Sequence, residues 1–286
     1  MYEYRKSLKS DVSDELVNTY LLRPLAGLFV RLVYRTSITP NQVTIASTVA
    51  GLIAALFYLR GEALWTAIAG LCVTLKDLLD SADGQLARAK QQYSRIGRFL
   101  DSIGDFVVDV AVFAAIGWAL YSSSGDPWML VLAFLCLAGI TLRVSYHVYY
   151  QTSYLHLGER YAINRLTEEI TEDDRKGDRF ALALQRVFQV IYGWQDRLMV
   201  RIDAWGRRGR ERPEFLARWY TDAPGLRISG LLGMGTELFL LMLCSVSDQL
   251  VLYCFLNLIL MNAILLASVL YRRFIFSYRL QLGGSL

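Results

Sequence analysis

Four aspartates, Asp80, Asp83, Asp101 and Asp105, crowd into the stretch DSADGQLARAKQQYSRIGRFLDSIGD. Asp80 and Asp83 are three apart, on one face of a helix end, and Asp101 and Asp105 are four apart, on one face of the next helix. The link between them is short and carries Arg88, Lys90, Arg95 and Arg98 with no acid. Two helices so joined are antiparallel neighbours, and their acidic faces can meet. Unpaired, each carboxylate costs about 2.5–3.5 kcal/mol at the centre of a membrane, and mutual repulsion adds to that. A cation must compensate them. Ligation by carboxylate oxygens alone suits a hard divalent ion, Mg2+ or alternatively Mn2+. Two such ions balance four carboxylates, and metals about 3.5–4 Å apart clamp the attacking and leaving oxygens of a phosphoryl displacement.

The small residues fit the same chemistry. Gly84 removes a side chain beside the acids, so phosphates can approach the backbone. Ala87 keeps the next turn open. Arg88, one turn beyond Gly84, can grip a diphosphate. Gly97 and Gly104 thin the facing helix. The bland alternative is a solvated run of charge at two helix ends. Alternation of acids with small residues within two helix faces argues against it.

The elements that position these residues are apolar. Of 286 residues, 54% are hydrophobic and 20% charged, and the mean hydropathy is +0.32. The apolar residues are clumped, which excludes a disordered chain and an ordinary soluble domain. Cys72, Cys136, Cys244 and Cys254 form no CxxC pair and lie in apolar runs, so they read as small core residues. A net charge of +4 gives no case for a nucleic-acid partner.

A bilayer core needs about 20 apolar residues per helix. Six segments reach or approach that length: Val43–Leu59, Ala63–Leu75 running on into charges, Phe106–Tyr121, Trp128–Leu142, Ile228–Val246 and Leu250–Tyr271. The first 20 residues hold acids and no apolar run, so no cleavable signal peptide is expected. Basic residues fix the orientation. The proposed outer loops 60–62, 122–127 and 247–249 hold one, Arg60, whereas residues 1–38 hold six. Both termini are therefore expected in the cytoplasm, with the acids at the cytoplasmic edge of a multi-pass protein.

The expected fold is an all-α integral membrane protein of six transmembrane helices, with an N-terminal interfacial helix and a helical cytoplasmic insertion between helices four and five. Its segments are 1–38 (cytoplasmic or interfacial helix), 39–155 (spans one to four with the acidic motif), 156–225 (insertion), 226–274 (spans five and six) and 275–286 (cytoplasmic tail). In the first, Leu16, Tyr20, Leu21, Leu25, Leu28, Phe29 and Leu32 make a broad apolar face, and Arg23, Arg31 and Arg35 can reach lipid phosphates. The insertion holds 13 basic and 12 acidic residues, and 178–205 repeats apolar residues at helical spacing. That helix is expected on the cytoplasmic face or against a partner; 168–178 is a charged link. Tyr146, Tyr149, Tyr150 and Tyr154 read as an interfacial aromatic belt.

The acidic stretch resembles the motif of the CDP-alcohol phosphotransferase (CDP-alcohol phosphatidyltransferase) family, D-x2-D-G-x2-A-R-x8-G-x3-D-x3-D. Asp80, Asp83, Gly84, Ala87, Arg88, Gly97, Asp101 and Asp105 occupy every fixed position. Thr39-Pro40-Asn41-Gln42-Val43-Thr44 is similar to the family's TPNxxT segment. The resemblance covers 13–155 well and 226–274 by topology alone; the insertion departs from the compact members. It implies transfer of a phosphoalcohol, phosphatidyl foremost, from a CDP-linked donor to an acceptor hydroxyl with release of CMP, in phospholipid biosynthesis. Asp80, Asp83 and Asp101 would ligate two metals. Asp105 would complete the site and serve as general base, though a base that also touches metal orients the hydroxyl more than it removes the proton. Gly84, Ala87 and Arg88 would line the nucleotide site, with Asn41 and Thr44 approaching from the first span. A homodimer is implied as well. Gly230, Gly233 and Gly235 allow close helix approach in the fifth span, between copies or within one chain.

Substrates are less legible. CDP-diacylglycerol is the expected donor, and a CDP-linked head group with a lipid alcohol acceptor is the alternative. Arg143 and His147, one turn apart, can bind the phosphate of an acceptor such as glycerol phosphate or inositol phosphate, or snorkel to the interface. Glu237, Asn257 and Asn262 read equally as acceptor contacts or as glue between helices. Lys76 and Asp77 can pair with each other or with neighbours, and Asp109 extends the acidic stripe one turn deeper. An ion transporter or a membrane scaffold are the readings from other classes. The acids cluster at one end and form no chain across the bilayer, which weighs against transport.

Overall fold

The computed structural model describes residues 15–157, 170–172 and 178–276. Most of the charged link 168–178, residues 158–167 of the insertion and residues 277–286 of the tail, including Arg279, lie outside the described residues.

The described residues are helical, with no strand among them. A π-helical turn, Asn18–Leu22, leads into α1 (Arg23–Val33), followed by α2 (Pro40–Tyr58), α3 (Ala63–Lys90), α4 (Arg95–Ser124) and α5 (Trp128–Leu157). Next come α6 (Arg179–Arg207), α7 (Pro213–Thr221), α8 (Ala223–Gly230), α9 (Met234–Val246), α10 (Leu250–Phe255) and α11 (Asn262–Leu270). Among the described residues, five stretches are long and apolar enough to cross a membrane: Pro40–Tyr58, Arg95–Ser124, Trp128–Leu157, Ala223–Val246 and Leu250–Phe276. The chain is thus a multi-pass membrane protein. Helix α3 has the length of a span, but Lys76, Asp77, Asp80, Asp83, Arg88 and Lys90 load its C-terminal half with charge.

Local chemistry sets the helix ends that matter. Thr39 caps α2: its Oγ1 accepts from the Gln42 amide at 3.3 Å, and Gln42 Oε1 accepts from the Thr39 amide at 2.9 Å. This is a capping box with Pro40 in the first turn, so the Thr-Pro-Asn-Gln run is a helix start in its own right. Ser94 caps α4 by accepting from the Gly97 amide at 3.1 Å. Gln91 ends α3 in the left-handed region, at φ 55°. Four residues, 91–94, therefore turn the chain between the two motif helices.

Helices α2, α3 and α4 form one layer, with α9 against α3 and α5 against α4. Tyr58, Val73, Val112, Phe113, Ile116, Ile140, Leu241 and Tyr253 share their core. Cys136, Cys244 and Cys254 are buried free thiols, as expected of small core residues, and Cys72 is half-buried.

Several expectations are corrected. The fifth apolar segment is broken at residues 231–233, between α8 and α9. The sixth relaxes into π-helix at Leu256–Met261 and Tyr271–Phe276. The tyrosines are no interfacial belt: Tyr146, Tyr149 and Tyr150 are buried where α5 continues to Leu157 and meets the insertion. Arg23 is buried rather than turned to lipid, while Arg31 and Arg35 are exposed. Helix α1 packs Ala26, Val30 and Val33 against Ala82 and Leu86 of α3. Of the predicted apolar face, Leu16, Tyr20, Leu21, Leu25, Leu28 and Leu32 are exposed, while Phe29 packs toward that core. Gly233 and Gly235 make room within the chain, where the Glu15 side chain enters and its Oε2 accepts from the Gly235 amide at 2.7 Å.

The insertion is fastened by one acid. Asp203 is fully buried. It accepts from Tyr149 (3.1 Å), Tyr150 (3.0 Å), Tyr220 (2.8 Å), Trp219 Nε1 (2.7 Å) and Arg207 Nε (2.8 Å). These bonds join α5, α6 and α7. Burial, and then the charge of Asp203, push the Tyr220 hydroxyl up to about 12.

Candidate active site

The motif helices bring three of the four predicted carboxylates together. Asp80 from α3 and Asp101 and Asp105 from α4 each present an oxygen, and the three oxygens lie within 4.8 Å of one another. All three residues are half-buried. Asp83, one turn on from Asp80, is more deeply buried and accepts a hydrogen bond from the Thr44 hydroxyl. Thr44 therefore holds Asp83 from the neighbouring helix α2. Asp105 is paired with Lys76 Nζ, and Lys76 is buried to 1% exposure. The expectation that Lys76 pairs with a neighbour is met by the fourth aspartate of the motif.

Asp101 Oδ1 is buried and makes no hydrogen bond. A buried carboxylate oxygen left in that state costs about 1–3 kcal/mol or more. Three converging carboxylates, an orphaned oxygen and an all-oxygen donor set fit a divalent cation. Lys76 supplies one positive charge to the group.

The glycines divide by what surrounds them. A Cβ on Gly84 would meet only the guanidinium of Arg88, at 3.3 Å, so the backbone here is bounded by a movable side chain. Ala87 is half-buried on the following turn. Gly97, by contrast, is filled by Asn41 of α2, and a Cβ on Gly104 would lie 2.5 Å from Thr48 Oγ1. Those two glycines thin α4 for α2, not for a ligand. Asn41 and Thr44 thus both lie on the α2 side of the motif, one against α4 and one against Asp83.

Arg143 and His147 sit apart from each other in their partners. Arg143 is fully buried and does not snorkel. Its Nε donates to Glu237 Oε1 at 2.5 Å and its Nη1 to Asn262 Oδ1 at 2.9 Å. Asn257 donates to Glu237 Oε2 at 3.2 Å. Glu237, Asn257 and Asn262 therefore knit α5, α9 and the last apolar segment together. His147 is buried with Nε2 3.8 Å from Glu15 Oε1. Glu15 was invisible to sequence reasoning, because nothing local ties it to glycines 220 residues away. Asp203 left a faint signal, an acid one turn from Arg207 on a helix otherwise patterned with apolar residues.

The CDP-alcohol phosphatidyltransferase family model matches residues 37–190. A bifunctional IPC transferase and DIPP synthase from Thermococcus kodakarensis is 34% identical over 133 residues, covering 46% of this chain and 29% of that protein. A phosphatidylinositol phosphate synthase from Streptomyces avermitilis is 40% identical over 124 residues, covering 42% of this chain and 47% of that protein. One from Mycobacteroides abscessus is 34% identical over 118 residues, covering 41% and 50%. The chain thus spans half or less of the length of these relatives.

Proposed function

The chain belongs to the CDP-alcohol phosphatidyltransferase family, and from that premise we propose that it transfers a phosphatidyl group from CDP-diacylglycerol to an alcohol, releasing CMP. The observation that carries this reading is the convergence of Asp80, Asp101 and Asp105, with a buried oxygen of Asp101 left without a hydrogen bond. Asp80, Asp83, Asp101 and Asp105 would hold two Mg2+ ions, with Mn2+ also suited to the donors. Bound there, the ions supply positive charge against the donor's diphosphate.

The residues of the chain do the rest. Gly84 lets the diphosphate approach the α3 backbone, Arg88 grips it, and Ala87 leaves space for the nucleotide. Asn41 and Thr44 close the site from α2, Thr44 by fixing Asp83. The acceptor oxygen bonds to the phosphorus that carries the lipid, and the bond from that phosphorus to the oxygen retained by CMP breaks. Asp105, steadied by Lys76, orients the acceptor hydroxyl and takes its proton.

Relatives named as phosphatidylinositol phosphate synthases support an inositol phosphate as the acceptor. His147 and Arg143 are the side chains proposed for its phosphate. The buried Arg143 Nη2 makes no hydrogen bond to the protein, which leaves it a donor to offer.

The proposed topology has six spans, α3 being the second and joining the five apolar stretches, with both termini and the acidic cluster on the cytoplasmic side. Helix α1 lies in the interface, supported by its outward apolar face. Segments 1–38, 39–155, 156–225, 226–274 and 275–286 keep their proposed boundaries, and a homodimer is the proposed assembly. The test is CMP release by the purified protein with Mg2+ and CDP-diacylglycerol, offered inositol 1-phosphate, glycerol 3-phosphate, inositol or serine. Release that requires inositol 1-phosphate and stops with EDTA is expected. Release unaffected by EDTA would falsify the metal assignment, and a different required alcohol would replace the acceptor.

A further inference from the structure

Helix α6 belongs to the insertion and has no part in the proposed chemistry. It runs for 29 residues, roughly 44 Å. Along that length it crosses three other elements. Phe188 and Tyr192 meet Phe99 and Phe106 of α4, and the Tyr192 hydroxyl donates to the Ser102 carbonyl at 2.6 Å. Gln195 bonds Ser145 and Asp203 bonds Tyr149 and Tyr150, all on α5. The carbonyl of Trp205 accepts from Arg273, in the π-helical end of the last segment, at 2.6 Å. These are the ends of α4, α5 and the last segment that share one side of the protein. A helix that crosses several span ends in turn lies along the membrane surface rather than through it.

The inner face of α6 is accounted for by these contacts. Its outer face is not. Phe180, Val187, Val190, Trp194 and Trp205 are exposed, Val190 to 78%. They recur at helical spacing on the side opposite Phe188, Met199 and Asp203. Arg179, Arg186, Arg197 and Arg201 are exposed beside them. The acids of α6 are Asp196, half-buried, and Asp203, fully buried. The outer face therefore carries aromatic and aliphatic bulk with charge of one sign.

We propose that this outer face of α6 docks onto the anionic lipid surface of the leaflet in which α4, α5 and the last segment end. Apolar side chains enter the headgroup boundary and the arginines meet lipid phosphates. Charge complementarity selects the occupant, because arginines flanking bulky apolar groups match an anionic interface. This rests on the proposed placement of those span ends at the cytoplasmic edge. The insertion then seats the motif helix α4, through Tyr192 and Phe188, at a fixed depth in the surface from which a lipid donor arrives.

The test uses the full chain with Cys72→Ala, whose other cysteines are buried, in nanodiscs of phosphatidylcholine with or without phosphatidylglycerol. A nitroxide on Val190→Cys is compared with one on Phe134→Cys, exposed on α5, and one on Glu211→Cys, in the turn after α6. Collision with oxygen and with a water-soluble nickel chelate reads depth. The expected result is an oxygen-rich Val190 label, close to Phe134 and unlike Glu211. In anionic discs it sits deeper than in neutral discs, and Arg186→Gln/Arg197→Gln/Arg201→Gln abolishes that difference. A Val190 label as open to nickel as Glu211, with Phe134 still in lipid, overturns the docking while leaving the membrane topology standing. A Phe134 label in water overturns the topology itself. A Val190 label shielded from both reagents overturns the lipid assignment in favour of a protein contact.

Discussion

Two buried acidic centres in this molecule are opposites. At Asp203, five donors fill the two carboxylate oxygens, and the acid joins α5, α6 and α7. At Asp80, Asp101 and Asp105, three carboxylates face one another and Asp101 Oδ1 receives nothing from the protein. Asp203 is fully buried and the three motif acids are half-buried, but that difference is one of degree. The supply of donors separates the two. A carboxylate whose lone pairs are filled by its own chain has a structural task, whereas converging carboxylates short of donors fit the cation proposed for them.

The sharpest way to break this contrast is to neutralise one acid in each centre. Asp101→Asn removes a proposed metal ligand and relieves repulsion. CMP release should fall by at least about 100-fold, the scale of losing one strong electrostatic contact at a reacting centre. Mg2+ should raise the thermal midpoint of the native protein and leave that of Asp101→Asn unmoved. Asp203→Asn should do the reverse. Four neutral donors and Arg207 lose a charged acceptor, a loss of about 3–5 kcal/mol for a broken buried pair. Thermal unfolding in detergent should show it, and the protein that remains folded should keep its Mg2+ response. An Asp203→Asn protein that is stable but deaf to Mg2+ would reverse the assignment of the two centres.

A smaller effect sharpens the boundary between them. Thr44 touches no proposed ion, yet its hydroxyl donates to Asp83. Loss of a group that orients a ligand typically weakens metal affinity about 10–100-fold. Thr44→Val should raise the Mg2+ concentration for half-maximal CMP release by that factor. Activity at saturating Mg2+ should recover most of the native value. Failure to recover would make Thr44 a contact to the substrate rather than a support for Asp83.

The difference between the centres also explains what was legible. Asp80, Asp101 and Asp105 lie on two consecutive helices joined by four residues, so their spacing points to one place, while Asp83 is held aside by Thr44. The capping box at Thr39 and Gln42 was equally local. Asp203 draws its donors from α5, α6 and α7, and Tyr149 is 54 residues away. Tyrosines near a span end suggest an interfacial belt, the common use of aromatic residues there; their burial depends on an insertion that folds back over them. The apolar run that stops at Leu142 puts Arg143 near a span end, where phosphate binding and snorkelling are both open. The helix continues to Leu157, and Glu237 and Asn262 from distant segments make a buried guanidinium affordable. Contacts of this kind carry no periodicity, and a single chain's pattern of residue types cannot announce them.

The finest test separates a glycine that serves a ligand from one that serves packing, within the same motif. Gly84 and Gly97 are both helical. A Cβ on Gly97 would meet the terminal amide of Asn41, which must turn away from α4 to admit it. Gly97→Ala should therefore be less stable than Gly84→Ala, because Asn41 must give up its place against α4. A Cβ on Gly84 meets only the end of Arg88, which can swing aside. Alanine is better than glycine inside a helix by about 0.8–1 kcal/mol, so Gly84→Ala should unfold at the same temperature or slightly above. Its cost should fall on the donor: the added methyl stands where the diphosphate approaches α3 and where Arg88 must return to grip it. The Michaelis constant for CDP-diacylglycerol should rise several-fold with a smaller change in turnover, a loss of roughly 1 kcal/mol in binding. A stable Gly84→Ala protein with native donor affinity would move the nucleotide away from α3 while leaving the carboxylates as the metal site. A destabilised one would mean that Gly84, like Gly97, is there for the helices.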